Sequence, residues 1–388
     1  MKIKVLRIIT RLNVGGPTIH VVLLNSKLNS KEYETLLLSG KTENHESDMY
    51  YYAEKYGLEP IYIDTMSREI RLIKDFKALV AIIKVIKRFK PDIVHTHTAK
   101  AGLVGRLAAI LMRVPLIIHT FHGNIFKNYF GKFKTHFFIM IERALARYTT
   151  KIIAISRQQK DELVNLKICE KEKIEIINLG FDFENVLPNR THINSFRDEY
   201  NIPSEMPLVG IIGRLTPIKN HMMFLEICEK ILKIHKEIIF VIVGDGELRG
   251  NIEKEILRRK LESNVILTGN IQDLKKAYAD LNVVMLTSNN EGTPVAIIEA
   301  MACGKLVLAT DVGGVPDLIE YGKDGFFFPA GDSKSFIDII LDWITNRDKY
   351  IPLQSNASKK AIRLFNSERL IDETDHLYRK LFKSKDKK

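Results

Sequence analysis

The chain is predicted to be an α/β protein built from two doubly wound, Rossmann-like domains. Short apolar runs alternate with amphipathic stretches of helical length, which is typical of parallel sheets covered by helices on both faces. The alternation occurs twice along 388 residues, a length that favours two domains over one. A polar, proline-punctuated stretch near residues 181–206 separates the two halves. We therefore expect an N-terminal domain over residues 1–185 and a C-terminal domain over residues 186–367.

Apolar runs of strand length mark the expected sheet of each half. In the first half they predict strands near residues 5–10, 35–39, 61–64, 93–96, 116–120, 152–155 and 174–177. In the second half they predict strands near residues 209–213, 239–243, 265–268, 283–286, 306–309 and 325–328. Ligands of such sheets bind beyond the carboxyl ends of the strands, so polar residues at those ends are candidates for a functional site. We expect both sheets to place these ends at one shared cleft.

Composition excludes several classes of protein. With 45% hydrophobic and 27% charged residues the chain is globular, and no apolar run approaches the roughly 18 residues that span a bilayer. The first ten residues thread charges through a short apolar run, unlike a signal peptide, so we expect a cytoplasmic protein. Cys169, Cys228 and Cys303 are far apart and odd in number, which indicates neither a disulfide framework nor a zinc site.

The net charge of +12 favours polyanionic partners. Residues 68–90 form a basic amphipathic stretch, and residues 127–134 interleave lysines with aromatic side chains. Both segments suit a lipid headgroup region, although a solvated helix face and a basic loop would have the same composition. No nucleic-acid reading module is present, so we expect no nucleic-acid partner. We expect the protein to bind the inner face of the cell membrane peripherally.

The sequence after the 283–286 strand predicts an anion site at the start of a helix. Pro294 suits the first helical position, Thr293 can cap the helix, and Gly304 suits the residue just past its end. The free N–H groups of Thr293 and Val295 would face an anion at the positive end of the helix dipole, where Gly292 allows close approach of the backbone.

Two glutamates flank this predicted anion site. Glu291 stays in the loop, whereas Glu299 lies about 7.5 Å along the helix axis from Pro294. One ligand could therefore contact both acids, with a sugar at Glu291, a phosphate at the start of the helix and a ribose at Glu299. The alternative is an ordinary buried helix with two solvated glutamates beside it.

Further polar candidates stand at other strand ends. Gly15 and Gly16 lie between a strand and a helix, where backbone amides can reach a phosphate, although a glycine pair is equally a plain turn. Arg214 and Lys219 offer a planar fork and a point charge to neighbouring phosphate oxygens. We expect Lys219 in the first turn of a helix, where a bound anion would offset its opposition to the dipole. A surface pair beside a turn is the alternative.

Histidines follow two strands of the first half. His95 and His97 alternate and so face the same side of the sheet, but two histidines do not make a metal site without a third ligand. His122 ends the next strand, where a buried core histidine is the alternative to a functional one, and His119 competes with it for the functional role.

The run GTPVAIIEAMACGKLVLATDVGG, with seven residues between Glu291 and Glu299, resembles glycosyltransferase family 4, the retaining enzymes of the GT-B fold. The resemblance extends from Leu6 to about Phe328 and is closest to members that build bacterial cell-surface polysaccharides. It implies that Glu291 contacts hydroxyls of the donor sugar and that Glu299 holds the ribose. It also implies that the last helix, 368–388, completes the first domain.

The resemblance implies a full set of site residues. Catalytic roles fall to His122, Arg214, Lys219 and Glu291. Donor binding falls to Gly15, Gly16, Arg214, Lys219, Gly269, Ile271, Glu291, Gly292, Thr293, Val295 and Glu299, with Gly269 to Ile271 at the nucleobase. His97 and Lys100 are assigned to the acceptor, with structural roles as the alternative.

The resemblance further implies no cofactor and no catalytic metal, because no aspartate pair matches the metal-binding DxD of the other glycosyltransferase fold. We therefore expect a hexosyltransferase or N-acetylhexosaminyltransferase that moves a sugar from a nucleotide-diphosphate donor, UDP before GDP, to a glycan or lipid-linked acceptor. The alternatives are a same-fold transferase with a soluble acceptor and a sugar-nucleotide epimerase.

Overall fold

The computed structural model describes residues 2–385 apart from Lys31, 43–47, Arg68, Ile70 and 124–131. The chain divides into two compact units. Unit 1 comprises residues 1–181 and 367–388, and unit 2 comprises residues 182–366. The break between the units falls four residues before the boundary expected at residue 185.

Unit 1 is a seven-stranded parallel sheet with the strand order β3-β2-β1-β4-β5-β6-β7. Its strands and helices alternate as predicted, and they are β1 (Ile3–Arg11), α1 (Gly16–Leu28), β2 (Tyr33–Gly40), α2 (Tyr50–Lys55), β3 (Ile61–Tyr62), α3 (Leu72–Phe89), β4 (Ile93–His97), α4 (Ala99–Leu111), β5 (Leu116–Phe121), α5 (Lys132–Tyr148), β6 (Lys151–Ala154), α6 (Arg157–Asn165) and β7 (Ile174–Ile176).

Unit 2 is a six-stranded parallel sheet with the strand order β10-β9-β8-β11-β12-β13. Its elements are α7 (Ser195–Glu199), β8 (Leu208–Ile212), α8 (His221–Leu232), β9 (Ile239–Val243), α9 (Arg249–Arg258), β10 (Val265–Gly269), α10 (Leu274–Asp280), β11 (Val283–Leu286), α11 (Val295–Ala302), β12 (Leu306–Thr310), α12 (Val315–Leu318), β13 (Phe326–Phe328), α13 (Ser333–Thr345) and α14 (Ile351–Phe365). The last helix, α15 (Ser367–Lys385), belongs to unit 1.

Alternation along β1 shows why helices cover both faces of the unit 1 sheet. Leu6 and Ile8 pack on one face with α3 and α4, in a core that includes Ile82 and Val104. Val5 points to the other face and packs with α1 and α15. Successive side chains of a strand point to opposite faces, so a strand covered on both sides is largely apolar, and the buried Arg7 of β1 is hydrogen-bonded to Asn25 and Tyr378.

Strand order fixes where each unit can bind a ligand. In unit 1 the order reverses between β1 and β4, and in unit 2 between β8 and β11. Connections leave such neighbouring strands in opposite directions, which opens a crevice beyond their carboxyl ends. The loops after β1, β4, β8 and β11 are therefore the places to look for a site.

Candidate functional site

Glu291 lies in the loop after β11 and its carboxylate is held from two sides. Lys219 Nζ lies 2.6 Å from Glu291 Oε1, and Ser288 Oγ donates to the same oxygen at 2.6 Å. The Glu291 side chain is 11% exposed. The carboxylate is therefore fixed in position while an edge of it stays open to solvent.

The loops after β8 and β11 are joined by hydrogen bonds. Thr287 Oγ1 donates to the carbonyl of Lys219 at 3.0 Å and to that of Asn220 at 3.1 Å. The Asn289 N–H donates to the carbonyl of Ile218 at 2.8 Å. These bonds hold Lys219 and Glu291 at the reversal point of the unit 2 sheet.

Lys219 does not lie in the first turn of α8, contrary to the expectation from the sequence. Lys219 ends a short 3-10 turn, Pro217–Lys219, and α8 begins two residues later at His221. Asn220, with a left-handed φ of 48°, caps α8 by accepting from the Met223 N–H. Lys219 therefore stands outside the helix and is neutralised by Glu291.

Arg214 lies two residues after the end of β8 and is exposed. The structure gives its guanidinium no ion pair with any residue in the described ranges. In a loop beside the Lys219–Glu291 pair, its five N–H donors stay available to an anion.

The start of α11 differs from the predicted cap. The helix has eight residues and begins at Val295, with Pro294 as the N-cap residue and no side-chain capping bond. Thr293 Oγ1 is buried without a partner among the described residues, so Thr293 does not cap the helix. Proline at the cap leaves the first N–H groups of α11 without a side-chain acceptor, as an anion site requires. Gly304 lies past the end of the helix with φ of 67°, as predicted.

A glycine loop packs against the Glu291 loop from the other side. The Gly314 N–H donates to the carbonyl of Gly292 at 2.8 Å. Gly313 has φ of 55°, and a Cβ built on it would lie 1.7 Å from the carbonyl oxygen of Glu291. This contact leaves no room for a side chain at position 313, so the two loops hold each other in place.

Glu299 lies on α11 beside a buried tyrosine. The Tyr278 hydroxyl, on α10, lies 2.8 Å from Glu299 Oε2 and 3.2 Å from the carbonyl of Ala296. Burial raises the pKa of Glu299 to about 7, and the hydrogen bond from Tyr278 opposes that rise. The sequence analysis missed Tyr278, because an isolated tyrosine in a helix carries no motif.

The segment expected at the nucleobase follows β10. Gly269, with φ of 74°, accepts at its carbonyl from the Gly244 N–H at 2.9 Å, and Ile271 is half-buried in the connection to α10. This segment lies at the same carboxyl edge of the unit 2 sheet as Arg214.

In unit 1 the glycine pair marks the start of α1. Gly15, with φ of 149°, is the N-cap residue and Gly16 is the first helical residue. A Cβ on Gly15 would meet only Pro17 Cδ, at 3.6 Å, so the backbone there is open on one side. An open amide backbone after β1 suits a phosphate or hydroxyl ligand.

His97 and His122 meet at the ends of β4 and β5, and a third histidine joins them. His97 Nδ1 and His122 Nε2 lie 2.9 Å apart. The His20 ring, on α1, lies 4.9 Å from that of His122 and 5.7 Å from that of His97, between centroids. Burial lowers the pKa of His122 to about 3, so the pair is neutral. Sequence reasoning missed His20, because 77 positions separate it from His97.

His95 belongs to a hydrogen-bonded network that includes α15. His95 Nδ1 lies 2.6 Å from the Tyr378 hydroxyl, and His95 Nε2 lies 2.7 Å from Thr120 Oγ1. Arg7 donates to the same tyrosine oxygen at 3.3 Å, which leaves the Tyr378 proton for His95 Nδ1. The His95 and His97 rings lie against each other at a tilt of 35°, with centroids 4.2 Å apart, on one side of the sheet as predicted.

His119 and Lys100 are engaged within the fold of unit 1. His119 faces α4, with Nδ1 at 2.8 Å from Thr96 Oγ1, and so lies away from His122. Lys100 Nζ lies 2.5 Å from Asp75 Oδ1 on α3, and it also donates to the carbonyl of Glu69. The Lys100 ammonium is satisfied by these two partners, which corresponds to the structural alternative rather than to a free acceptor ligand.

The basic segment 127–134 lies outside the described residues up to Gly131, and α5 begins at Lys132. Helix α3 is described and turns an apolar and basic face outward. Leu72, Ile73 and Phe76 are 83%, 76% and 66% exposed, between exposed lysines. Among the described residues, no helix combines the length and the apolarity that crossing a bilayer requires.

Comparison with known proteins agrees with this arrangement. The family model Glycosyltransferase Family 4 matches residues 14–185, and the model Glycosyl transferases group 1 matches residues 192–363. The chain is 30% identical over 326 residues to the UDP-Gal:alpha-D-GlcNAc-diphosphoundecaprenol alpha-1,3-galactosyltransferase of Escherichia coli, covering 83% of this chain and 84% of that protein. It is 26% identical over 341 residues to the capsular polysaccharide biosynthesis glycosyltransferase CapM of Staphylococcus aureus, covering 86% and 89% of the two chains.

Solved structures share the fold along nearly the whole chain. The crystal structure of Anabaena HepE in complex with UDP superposes with a TM-score of 0.83 at 20% identity, covering 98% of this chain and 100% of that one. HepE in complex with UDP-glucose gives a TM-score of 0.79 at 20% identity, covering 97% and 99%. The predicted fold class, two Rossmann-like domains of the GT-B type, is confirmed.

Proposed function

The chain belongs to glycosyltransferase family 4, and from that premise we propose that it transfers a hexose or N-acetylhexosamine residue from a UDP-sugar to a lipid-linked or glycan acceptor in cell-surface polysaccharide synthesis, with retention of anomeric configuration. The observation that carries the proposal is the Lys219–Glu291 pair beside the exposed Arg214 at the reversal point of the unit 2 sheet. The E. coli relative is named for a UDP-Gal donor and a diphosphoundecaprenol-linked acceptor, which supports the same classes here.

Arg214 and Lys219 are the residues that would bind the donor diphosphate. When a diphosphate arrives, Lys219 can share its charge between a phosphate oxygen and Glu291, because an ammonium has three donors. Arg214 contributes a bidentate fork, and the first N–H groups of α11 add partial positive charge. These groups stabilise the negative charge that grows on the leaving diphosphate without a metal ion.

Glu291 and Glu299 would bind the two sugars of the donor. One oxygen of Glu291 is occupied by Lys219 and Ser288, which leaves the other for hydroxyls of the transferring sugar. Glu299 accepts from hydroxyls of the ribose, and its carboxylate is the stronger acceptor when ionised. A pKa of about 7 places that ionisation near neutral pH, and hydroxyl donors from the ribose would favour the ionised form.

His122 would contact the transferring sugar as a neutral imidazole. Its pKa of about 3 makes it a poor general base, since almost no driving force remains for taking a proton. A lone pair directed at the sugar can instead stabilise developing positive charge. The acceptor proton then passes to an oxygen of the departing phosphate.

The outward face of α3 would hold unit 1 on an anionic membrane. Exposed Leu72, Ile73 and Phe76 can enter the headgroup region, while Lys77 and Lys84 on the same helix meet anionic lipids. Docking on the inner face of the cell membrane would bring the enzyme to a lipid-linked acceptor.

Incubation with a panel of nucleotide sugars, with and without membrane extract, tests the proposal. We expect release of UDP that depends on the extract. Proton NMR of the earliest product should show the anomeric configuration of the donor, and an inverted linkage would overturn the mechanism. A soluble-acceptor transferase would not need the extract, and an epimerase would isomerise the nucleotide sugar without any acceptor.

A metal chelator separates this mechanism from metal-assisted transfer. We expect full activity in chelator, because Arg214 and Lys219 carry the charge of the leaving group. Complete loss that manganese restores would contradict the proposal.

A further inference from the structure

Three histidines from three elements of unit 1 converge beneath the end of its sheet, and we propose that they bind a divalent transition-metal ion, Zn²⁺ by preference. His20 comes from α1, His97 is the last residue of β4, and His122 follows β5. One ring nitrogen of each lies within 4.8 Å of those of the other two. Of the sequence pair His95 and His97 only His97 belongs to this group, and the fold brings His20 and His122 to it.

Each of the three rings has one nitrogen without a hydrogen-bond partner among the described residues. His20 Nδ1, His97 Nε2 and His122 Nδ1 are all buried without a hydrogen-bond partner among the described residues. The neighbouring His95, by contrast, has partners at both nitrogens. Buried polar groups are hydrogen-bonded in the large majority of cases, so these rings hold unmet bonding capacity, while His97 Nδ1 and His122 Nε2 face each other at 2.9 Å and are the nitrogens that an ion would join.

The donor set selects the class of metal. Imidazole nitrogens suit Zn²⁺, Cu²⁺ and Ni²⁺, whereas Mg²⁺, Ca²⁺ and Mn²⁺ prefer oxygen ligands. Three histidines with an open fourth position are a known arrangement for Zn²⁺. At Zn–N distances of about 2.0–2.1 Å, tetrahedral ligands lie about 3.4 Å apart. The His97–His122 contact of 2.9 Å would open by about half an ångström as the ion replaces the shared proton.

The burial of the three rings sets the route to the site. His97 and His20 are 0% and 1% exposed, whereas His122 is only partly buried. An ion would therefore arrive past His122. Where the proposed function holds, the same imidazole serves the transferring sugar, so Zn²⁺ and donor sugar would compete. This consequence rests on the proposed function, whereas metal binding itself does not.

Calorimetric titration of the full chain with Zn²⁺, without nucleotide, tests the site. We expect one ion per chain and, for His20→Gln, affinity lower by more than about 100-fold, because losing even an outer hydrogen-bond partner of a ligand costs about 10- to 100-fold. His235→Gln, at a partly exposed histidine of unit 2 far from this cluster in sequence, should bind as the parent does. Unchanged affinity in His20→Gln would overturn the proposal.

X-ray absorption of the zinc-loaded parent keeps the test decisive if a variant fails to fold. Three imidazole neighbours support the site, while oxygen-only coordination or sub-stoichiometric binding refutes it. Transfer assays then address the competition. Zn²⁺ should inhibit the parent but not His20→Gln. Stoichiometric zinc without inhibition would reject the proposed role of His122 and leave the metal site standing.

Discussion

The two units share a strand order but put different chemistry at its reversal point. In unit 2 the loops after β8 and β11 present charged groups, with Arg214 exposed and Lys219 joined to Glu291 at 2.6 Å. In unit 1 the ends of β4 and β5 present imidazoles that burial keeps neutral, and the pKa of His122 falls to about 3. The same scaffold therefore offers an anion site in one unit and a site for neutral or metal ligands in the other.

This difference follows from how each set of residues is buried. The charged residues of unit 2 lie in loops, where solvent and each other offset their charge. The imidazoles of unit 1 lie against the sheet, covered by α1 and α15, where a charge would lack water. Substitutions that change charge in unit 2 should thus affect binding and turnover more strongly than those at the periphery of unit 1.

Among the substitutions that test this difference between the units, Arg214→Ala should have the largest effect. If the guanidinium stabilises the departing diphosphate, its loss should lower turnover by about 100- to 1,000-fold. Steady-state assays with a saturating donor measure this, and Arg258→Ala provides a matched control, because Arg258 is an exposed arginine paired with Glu255. Parent-like turnover in Arg214→Ala would show that Arg214 does not stabilise the departing diphosphate.

Glu299→Gln should show that the charge in unit 2 destabilises the fold. Because the pKa of Glu299 is raised from 4.5 to about 7, the folded protein holds this proton more tightly than the unfolded chain does. Ionisation therefore lowers the free energy of unfolding as the pH rises from about 4.5 to about 7, by up to about 3 kcal/mol.

Urea unfolding at about pH 8 should find Glu299→Gln more stable than the parent, with the difference gone near about pH 4. The amide still accepts from Tyr278, so the hydrogen bond is retained. Glu262→Gln, at an exposed position, should leave stability unchanged at both pH values. A pH-independent difference would mean that packing, rather than ionisation, separates the variants.

Gly313→Ala tests whether the paired loops of unit 2 are rigid. Gly313 and Gly304 both have positive φ, but only Gly313 faces a backbone atom, the Glu291 carbonyl oxygen. Alanine in this region costs about 1–2 kcal/mol at either position. The clash at position 313 should add about 1–3 kcal/mol and weaken UDP binding, whereas Gly304→Ala should bind UDP as the parent does. Equal behaviour of the two variants in thermal unfolding and calorimetry would show that the loops yield freely.

Neutralising lysines on α3 should have the smallest effect. Each basic residue near an anionic surface contributes about 1 kcal/mol, so Lys77→Gln and Lys84→Gln should each weaken vesicle binding by roughly fivefold. Flotation with anionic and neutral vesicles measures this, with Lys254→Gln and Lys334→Gln in unit 2 as controls. Equal recovery on both vesicle types would favour the enzyme with a soluble acceptor.

Periodicity predicted the architecture well. Every strand expected from the apolar runs forms, because buried parallel strands favour unbroken apolar sequence, as in 239–243 and 283–286. Gly304, just past the end of α11, was also placed correctly, since local turn chemistry governs that position. What the sequence did not settle was the details of the caps. Pro294 replaces Thr293 at the N-cap, because the loop packed on Gly313 and Gly314 fixes the backbone there.

Contacts between distant residues were the part that the sequence could not supply. His20, Tyr278 and Tyr378 carry no motif, and they reach His97, Glu299 and His95 only once helices pack on the sheets. The ion pair of Lys100 with Asp75 is of the same kind, since it depends on how α3 and α4 lie together. Local patterns predict elements and loop chemistry, whereas partnerships across elements need the packed structure.

Because α15 belongs to unit 1 but follows unit 2 in the chain, unit 1 can be completed only after unit 2 has been synthesised. Unit 1 is discontinuous: its sheet comes from the first 181 residues, yet Leu370, Leu377 and Tyr378 complete the core on one face of that sheet. Unit 2, contiguous over residues 182–366, leaves the ribosome before that covering helix does. The nascent protein must therefore carry an unfinished first unit, in which α1 alone covers part of the core around Val5 and Ile118, until α15 emerges.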